Sequence, residues 1–280
     1  MWFVSFKERT EPDRLSRSSR HSRSSRRLYR PNKPGRPFLH QPLPKISVPR
    51  YPAATAELLR LFHEAFVTAD DRYDVSGLPE AQCEPGSNGL VLKNLLGITS
   101  KQVMDETEAG ALEQAMDVLV RSYGETHRFT AQDLCDCHRT WLGDIYEWAG
   151  HYRQVNVSKD GFPFAAAAQV PALMDQFDRD VLRRYTPCLF ANPADVVHAL
   201  AETHVELVLI HPFRDGNGRL ARVLSSLMAL QAGLPLLDFS GMAGTGKTAY
   251  IAAIQAGLDK HYAPMERVFG EVIEESRSSS

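Results

Sequence analysis

Residues 211 to 222 bring together side chains that could bind phosphate and move a proton. The segment reads His-Pro-Phe-Arg-Asp-Gly-Asn-Gly-Arg-Leu-Ala-Arg. It supplies a titratable base, a carboxylate, an asparagine between two glycines and two arginines. Together these groups are suited to handling a nucleotide polyphosphate with a metal ion. We therefore predict a phosphate and metal site in this segment.

Two helices are expected to position this segment. The apolar run over 205–211 predicts a helix that delivers His211 to its C-terminus. There the imidazole, which titrates near neutrality, can take a proton from a hydroxyl. Asn217 and Gly218 begin the next helix, whose free backbone N–H groups form an anion cradle. Gly216 and Gly218 let the backbone approach phosphate oxygens closely.

Three charged side chains and one aromatic complete the site. Arg219 and Arg222 are three residues apart and lie on one face of the second helix, so both can reach the same anion. Asp215 is placed where a carboxylate could hold Mg²⁺ against phosphate oxygens. Phe213, between polar neighbours, is expected to anchor the loop in the core. Each residue alone also suits a cap, a turn or a solvated face, but their combination favours a functional site.

The same dozen residues resemble the signature of the Fic family, His-x-Phe-x-Asp/Glu-Gly-Asn-Gly-Arg-x-x-Arg, at every defined position. Residues 92–99, 143–150 and 157–164 also resemble segments of bacterial Fic proteins, so the similarity covers about residues 88–275. It implies an all-α helical bundle, the Fic fold, with a small β-hairpin flap beside the active site.

The resemblance implies a protein adenylyltransferase, which moves AMP from ATP to a Ser, Thr or Tyr hydroxyl of a target protein and releases pyrophosphate. His211 would deprotonate the target hydroxyl. Asp215 would hold Mg²⁺ between the α- and β-phosphates.

The resemblance also assigns the remaining groups of the motif. Gly216, Asn217 and Gly218 would form the anion hole, with the Asn217 side chain on the α-phosphate. Arg219 and Arg222 would grip the β- and γ-phosphates.

A flap would clamp the target segment by strand-like main-chain pairing. Its residues would be Lys159, Asp160, Gly161, Phe162, Pro163 and Phe164.

Other activities and a mode of control stay open at this stage. Family members with related motifs phosphorylate, transfer UMP or transfer phosphocholine, and the intact Gly-Asn-Gly favours AMP. The inhibitory pattern Ser/Thr-x-x-x-Glu-Gly/Asn of many Fic proteins is not found in the sequence. The resemblance then suggests a toxin-like regulator restrained by a separate small antitoxin, which would supply a glutamate to Arg222.

A second phosphate motif competes with the first. Residues 241–248 fit the P-loop pattern GxxxxGK[ST]. A working P-loop needs a parallel sheet and a downstream acidic strand end, whereas the remaining residues predict two helices. We interpret this segment as a helix–helix connection, with an anion contact by Lys247 as the alternative.

Charge divides the chain into unequal parts. Residues 1–50 hold 13 Lys or Arg against 3 Asp or Glu, and the remaining residues hold 19 against 31. Residues 1–50 are therefore predicted to be a disordered basic tail rich in Arg, Ser and Pro. Residues 51–275 are predicted to form the Fic domain and 276–280 a disordered end. Nucleic-acid binding or export through the tail is less favoured than a solvated tail, since few aromatics interleave with its arginines.

Composition bounds the location. The sequence has no stretch of 18 apolar residues and no apolar run at its start long enough for a Sec signal, so no membrane span is expected. The cysteines have no metal-ligand spacing and are expected to be structural thiols of a reducing cytoplasm. We predict a bacterial cytoplasmic protein, with delivery into another cell as the alternative.

Periodicity predicts mainly helices. They span Ala53–Phe66, Glu106–Arg121, Thr130 to about Tyr146, Asn192–Leu209, Gly218–Gln231 with Gly233 as C-cap, Thr248–Tyr262 and Pro264–Glu275. The one strand-like stretch is Tyr152–Val157, leading into the hairpin.

Overall fold

The computed structural model describes residues 77–159, 161–242 and 246–278. Within these ranges the helices are α1 (Lys101–Ser122), α2 (Ala131–Leu142), α3 (Val170–Phe177), α4 (Arg183–Tyr185), α5 (Pro193–Ile210), α6 (Asn217–Gln231), α7 (Gly246–Ala256) and α8 (Ala263–Ser278). The strands β1 (Ser158–Lys159) and β2 (Phe162–Pro163) pair antiparallel. This confirms the expected all-α architecture with a small hairpin. The basic tail and the helix predicted over Ala53–Phe66 lie outside the described residues.

Helix α5 is the centre of the bundle, and it packs against α6 and α8. Most of its residues are buried, on all sides of the helix, as expected of a helix that is apolar all round. It begins where predicted, because the Asn192 side chain accepts a hydrogen bond from the Ala194 N–H and Pro193 occupies the first turn. It ends one residue beyond the predicted Leu209, next to His211.

Helix α2 begins with the predicted cap. Thr130 and Asp133 form a reciprocal capping box. The helix ends at Leu142 and not near Tyr146, and turns follow it. In these turns the N–H groups of Ile145 and Tyr146 both donate to the Leu142 carbonyl, each at 2.9 Å, and both side chains are buried.

A helical region between the hairpin and α5 was not predicted. Helix α3 continues through a π-helical turn over Asp178–Leu182 into α4. Its buried face includes Val170, Met174, Phe177 and Val181, which recur at helical spacing. The signal was therefore present in the sequence.

The strand expected over Tyr152–Val157 is wrong. This stretch is irregular, and the strands lie just after it, over residues 158–159 and 162–163. Its backbone is held by a buried arginine, Arg153, instead of a strand partner, as set out below. Among the residues that the structure describes, no helix is both long and apolar enough to cross a membrane.

Candidate active site

His211 lies at the C-terminal end of α5 in a left-handed conformation, with φ 54°. Its Nδ1 lies 3.0 Å from the Val208 carbonyl oxygen. A carbonyl only accepts, so Nδ1 carries the proton and Nε2 keeps its lone pair. Nε2 has no hydrogen-bond partner among the described residues. The Phe164 ring stacks on the imidazole, with centroids 3.5 Å apart.

The surroundings keep His211 neutral. Burial is the main cause that lowers its pKa to about 4; Arg153 and Lys159 act in the same direction, while the Val208 bond and Asp215 oppose the shift. At pH 7 the imidazole is therefore uncharged and its Nε2 can accept a proton, although a base of such low pKa is weaker than an ordinary histidine.

The start of α6 has the backbone geometry expected of the predicted anion cradle. Gly216 precedes the helix with φ 80°, and a Cβ on it would lie 2.7 Å from the Trp141 ring. Only glycine fits there without displacing that ring. The N–H groups of Asn217 and Gly218, in the first turn, have no acceptor within the described ranges. They are available to an anion.

The Asn217 side chain is used inside the loop. Its Oδ1 accepts from the Phe213 N–H and its Nδ2 donates to the Phe213 carbonyl, both at 2.8 Å. Asn217 is buried and closes the loop on Phe213, which is itself fully buried. The α-phosphate contact that the resemblance implies for this side chain stays a prediction. The backbone N–H of Asn217 stays available to phosphate.

Asp215 lies at the open side of the loop, with its side chain 53% exposed. One carboxylate oxygen, Oδ1, accepts from the Gly216 N–H at 2.5 Å and lies 3.6 Å from Nη2 of Arg219. The other oxygen, Oδ2, has no partner among the described residues. The described chain holds no group of three His, Cys, Asp or Glu side chains placed for a metal. A single carboxylate oxygen fits Mg²⁺ that arrives with phosphate and water ligands.

Arg219 is held on the side of α6 that faces α1 and α2. Its Nη1 donates to Oε2 of Glu108 at 2.6 Å. The guanidinium also lies over the Trp141 ring, 4.5 Å from its centroid.

Arg222 is not held in this way. It has no hydrogen bond or ion pair to any residue that the structure describes. Burial lowers its pKa, and repulsion from the nearby Arg219 cation lowers it further. Tyr250 is close enough to raise the same pKa. The two motif arginines thus have different surroundings.

Sequence reasoning missed a buried arginine that supports His211. Arg153 donates through its backbone N–H to the Pro212 carbonyl and through Nε to the His211 carbonyl at 2.7 Å. Its guanidinium also donates to the carbonyls of Val155 and Ala165, on either side of the hairpin. One side chain therefore ties both ends of the hairpin to the base. In the sequence, the only indication of this role is that Arg153 closely follows residues 143–150, which resemble a segment of bacterial Fic proteins.

A buried histidine in α2 supports the motif loop and was also missed. The Gly150 N–H donates to Nδ1 of His138 at 2.9 Å, so Nε2 carries the proton and donates to the Asp215 carbonyl at 3.1 Å. The ring stacks on Phe213 with centroids 4.0 Å apart. Burial lowers the pKa of His138 to about 4, which fits this neutral form. The conformation of the loop is thus fixed from α2.

The hairpin lies next to His211. Lys159 pairs with Phe162 and Ser158 with Pro163, and the Phe164 N–H donates to the Val157 carbonyl at 3.2 Å. Gly161 turns the chain with φ 79°, and Asp160 lies outside the described residues. The structure therefore brings five of the six predicted flap residues to the side of the base.

The P-loop-like segment has no strand context. Met242 ends a 3₁₀ turn and α7 begins at Gly246, with the residues between them not described. In the described part of the chain the only sheet is the antiparallel hairpin. A helix–helix connection, as interpreted from the sequence, accounts for this segment.

Comparison with known proteins agrees with this geometry. Residues 128–229 match the Fic/DOC family. The protein adenylyltransferase VbhT of Bartonella schoenbuchensis is 30% identical over 168 residues, which are 58% of this chain and 33% of that protein. The probable protein adenylyltransferase Fic of Escherichia coli is 29% identical over 198 residues, 68% of this chain and 90% of that protein. For most of the curated relatives the chain spans about a third of their length.

Solved structures show the same fold. The BepC protein of Bartonella tribocorum, a VirB-translocated effector with bound AMPPNP, superposes with a TM-score of 0.56 at 21% identity. The superposition covers 70% of this chain and 97% of that structure. A Fic domain from Bartonella quintana with bound ADP gives a TM-score of 0.53 at 24% identity, covering 65% and 89%. The motif and the family match over residues 128–229 agree with each other, and the solved structures share the fold.

Proposed function

We propose that this chain is a protein adenylyltransferase, which transfers AMP from ATP to a hydroxyl side chain of a target protein. The observation that carries the proposal is the position of a neutral His211, with Nε2 unoccupied, in the same short loop as the free N–H groups of Asn217 and Gly218. A base and an anion cradle at this spacing suit attack of a hydroxyl on a phosphate. Relatives named protein adenylyltransferases support the choice of AMP.

The reaction follows from these groups. The target hydroxyl oxygen forms a bond to the α-phosphorus of ATP, and the bond from that phosphorus to the bridging oxygen of pyrophosphate breaks. The hydroxyl proton passes to Nε2 of His211. The N–H groups at the start of α6 stabilise charge on the α-phosphate oxygens, and Arg222 and Arg219 bind the outer phosphates. Catalysis by this arrangement comes from positioning and from charge.

Mg²⁺ fits the site as a partner of ATP. Asp215 would hold it through its free carboxylate oxygen, with phosphate oxygens and water as the other ligands. When bound, the ion would neutralise charge between the α- and β-phosphates. The backbone of Asp215 is fixed for this purpose by the bond from His138 to its carbonyl.

Labelled ATP tests the proposal. The full chain is incubated with a bacterial lysate, Mg²⁺ and either α-labelled or γ-labelled ATP. We expect labelled protein only from the α-labelled nucleotide, and no labelled protein with a His211→Ala variant. Label on protein from γ-labelled ATP alone would show a kinase, and retained activity of His211→Ala would exclude His211 as the base.

The hairpin is proposed to dock the target segment. Lys159 is exposed, and the hairpin is only two residue pairs long, so main-chain pairing is the contact it can offer to an extended peptide. Such pairing carries little side-chain specificity. Mass spectrometry of the labelled lysate protein would identify the target and the modified hydroxyl.

Control by a separate antitoxin is the proposed regulation, in a toxin-like role. Arg222 has no carboxylate partner in the described chain, so a glutamate supplied from outside could pair with it and compete with ATP phosphates. Expression in bacteria should arrest growth with the unsubstituted chain and not with His211→Ala. Growth that is arrested equally by both would contradict a toxin that acts through AMP transfer. The proposed location is the bacterial cytoplasm, or a recipient cell as for the VirB-translocated effectors of similar fold.

A further inference from the structure

Glu108 lies beneath the motif arginine that is closer to α1, and the function proposed above gives it no role. Glu108 is on α1, 111 residues before Arg219 in the sequence. Its carboxylate accepts a hydrogen bond from Arg219 at 2.6 Å. Its side chain is 5% exposed, whereas that of Arg219 is 21% exposed. The carboxylate is thus buried behind the guanidinium, on the side away from solvent.

Three further contacts fix this carboxylate and the arginine together. The Tyr146 hydroxyl donates to Oε1 of Glu108 at 2.6 Å, which leaves Oε2 for Arg219. The Trp141 indole N–H donates to the Glu108 carbonyl at 2.9 Å. The same Trp141 ring supports the guanidinium from below. Arg219 therefore rests on a platform built from α1, α2 and the turn after α2.

The platform uses one end of the guanidinium and directs the other end to the site. Nη1 is taken by Glu108, while Nη2 lies 3.6 Å from Oδ1 of Asp215, at the open side of the loop. A planar guanidinium held at one nitrogen has a fixed orientation of the others, so less rotamer entropy is lost when phosphate binds.

We propose that Glu108 is a positioning residue for nucleotide binding, which orients Arg219 toward the outer phosphates without touching them. The inference rests on the proposed function only for the identity of the ligand, MgATP. Its opposite is an autoinhibitory role, in which the carboxylate would compete with phosphate for the arginine. The two roles predict opposite changes in affinity when the charge of Glu108 is removed.

The test is Glu108→Gln in the full chain, with the Kd of MgATP measured by calorimetry. We expect Kd and the KM for ATP to rise about tenfold, with a smaller change in kcat. In an Arg219→Ala background the same substitution should change Kd less than twofold, because Glu108 acts only through Arg219.

Glu202→Gln is the matched control. Glu202 is also a buried glutamate, with a side chain 7% exposed, and it also accepts from a tyrosine hydroxyl, that of Tyr185, at 2.6 Å. It pairs with His198 on α5 instead of a motif residue. We expect both Glu202→Gln and Glu108→Gln to lower the melting temperature. Glu202→Gln should leave the Kd of MgATP unchanged.

The outcomes separate the two proposals. If Glu108→Gln leaves the Kd of MgATP unchanged or lowers it, the positioning role alone is overturned. The same holds if Glu108→Gln still raises Kd in the Arg219→Ala background. A chain that binds no MgATP and transfers no α-label overturns the proposed function and this inference together. Should Glu108→Gln not fold, Tyr146→Phe takes its place, with an expected rise in Kd of about threefold that disappears in Arg219→Ala. An unchanged Kd in Tyr146→Phe would overturn the inference.

Discussion

The two arginines of the motif lie one helical turn apart on α6 and have opposite surroundings. Arg219 faces α1 and α2, where a carboxylate and an indole ring hold it. Arg222 faces α5 and α7 and has no ion-pair partner among the described residues, although burial and Arg219 both lower its pKa. The first arginine is stabilised before any ligand arrives. The second is a partly desolvated cation with no carboxylate partner among the described residues.

The difference teaches that one motif contains two kinds of arginine. An arginine held by an ion pair, such as Arg219, stabilises the fold and is oriented before a ligand binds. An arginine without a partner, such as Arg222, lowers the stability of the free protein, and an anion that binds to it would stabilise the protein. Stability and activity should therefore respond differently to loss of each one.

The largest effect is expected from Arg222→Ala. AMP transfer should fall roughly 1000-fold, because an arginine on a transferring nucleotide contributes about that much. The free energy of unfolding should rise by about 0.5 kcal/mol, because the variant no longer buries an arginine without a partner. α-Label transfer and urea unfolding measure the two quantities. Arg121→Ala, on the exposed end of α1, serves as the control and should change neither; a large stability loss in Arg222→Ala would contradict the comparison.

Arg219→Ala should instead destabilise the protein by about 3 kcal/mol, because it leaves the buried Glu108 carboxylate without its cation. Urea unfolding measures this loss. The double variant Glu108→Gln with Arg219→Ala should recover most of it, since the uncompensated charge is then gone. If the double variant were less stable than Arg219→Ala, the ion pair would not be the source of the loss.

Acid should weaken both sides of α6, since each rests on a buried neutral histidine. Burial lowers the pKa of His138, beside the Arg219 platform, to about 4, and that of His204, beside Arg222, to about 3. Their folded-state pKa values lie below the unfolded value of about 6.5, so the stability they contribute is present above pH 6.5 and is lost as pH falls toward 4. The unfolding free energy measured against pH should fall over this range.

His138→Gln or His204→Gln should make the unfolding free energy less dependent on pH, by about 1.4 kcal/mol per pH unit. This is the change expected when unfolding takes up about one proton fewer. A slope that neither substitution changes would assign the acid sensitivity to other groups, such as His211.

The smallest effect is expected from Tyr250→Phe. Ser225 donates its hydroxyl to the Ala221 carbonyl, so His204 donates to Ser225 through Nδ1 and accepts from the Tyr250 hydroxyl at Nε2, at 2.9 Å. Loss of that hydroxyl should cost about 1 kcal/mol of stability. The Kd of MgATP should change less than twofold, because Tyr250 does not hold Arg222. A tenfold rise in Kd would show that Arg222 too depends on a platform.

The sequence predicted the local features of the site and missed the distant ones. The caps at Thr130 and Asn192, the start of α6 and the position of His211 at a helix end all follow from neighbouring residues, and the structure contains them. Around Glu108, by contrast, the sequence predicts only a helix and gives no indication of a partner for this residue. Its contact with Arg219 spans 111 residues, and no local pattern encodes such a pair.

The error over residues 152–157 has a tertiary cause. This stretch has the composition of a strand, but the Val155 carbonyl accepts from the side chain of Arg153 and not from a neighbouring strand. A contact within the folded chain thus decided between two uses of the same backbone groups. The α-phosphate contact of the Asn217 side chain stays a prediction.

The buried side chain of Arg153 joins the hairpin to His211 through main-chain oxygens, which accept from its guanidinium on either side of the hairpin. Every amino acid has a main-chain carbonyl oxygen, so substitution of Val155 or Ala165 leaves these acceptors in place. The ring of Phe164 also contacts the imidazole, by stacking on it. Exposed positions such as Lys159 can therefore change in evolution while the geometry around His211 is retained.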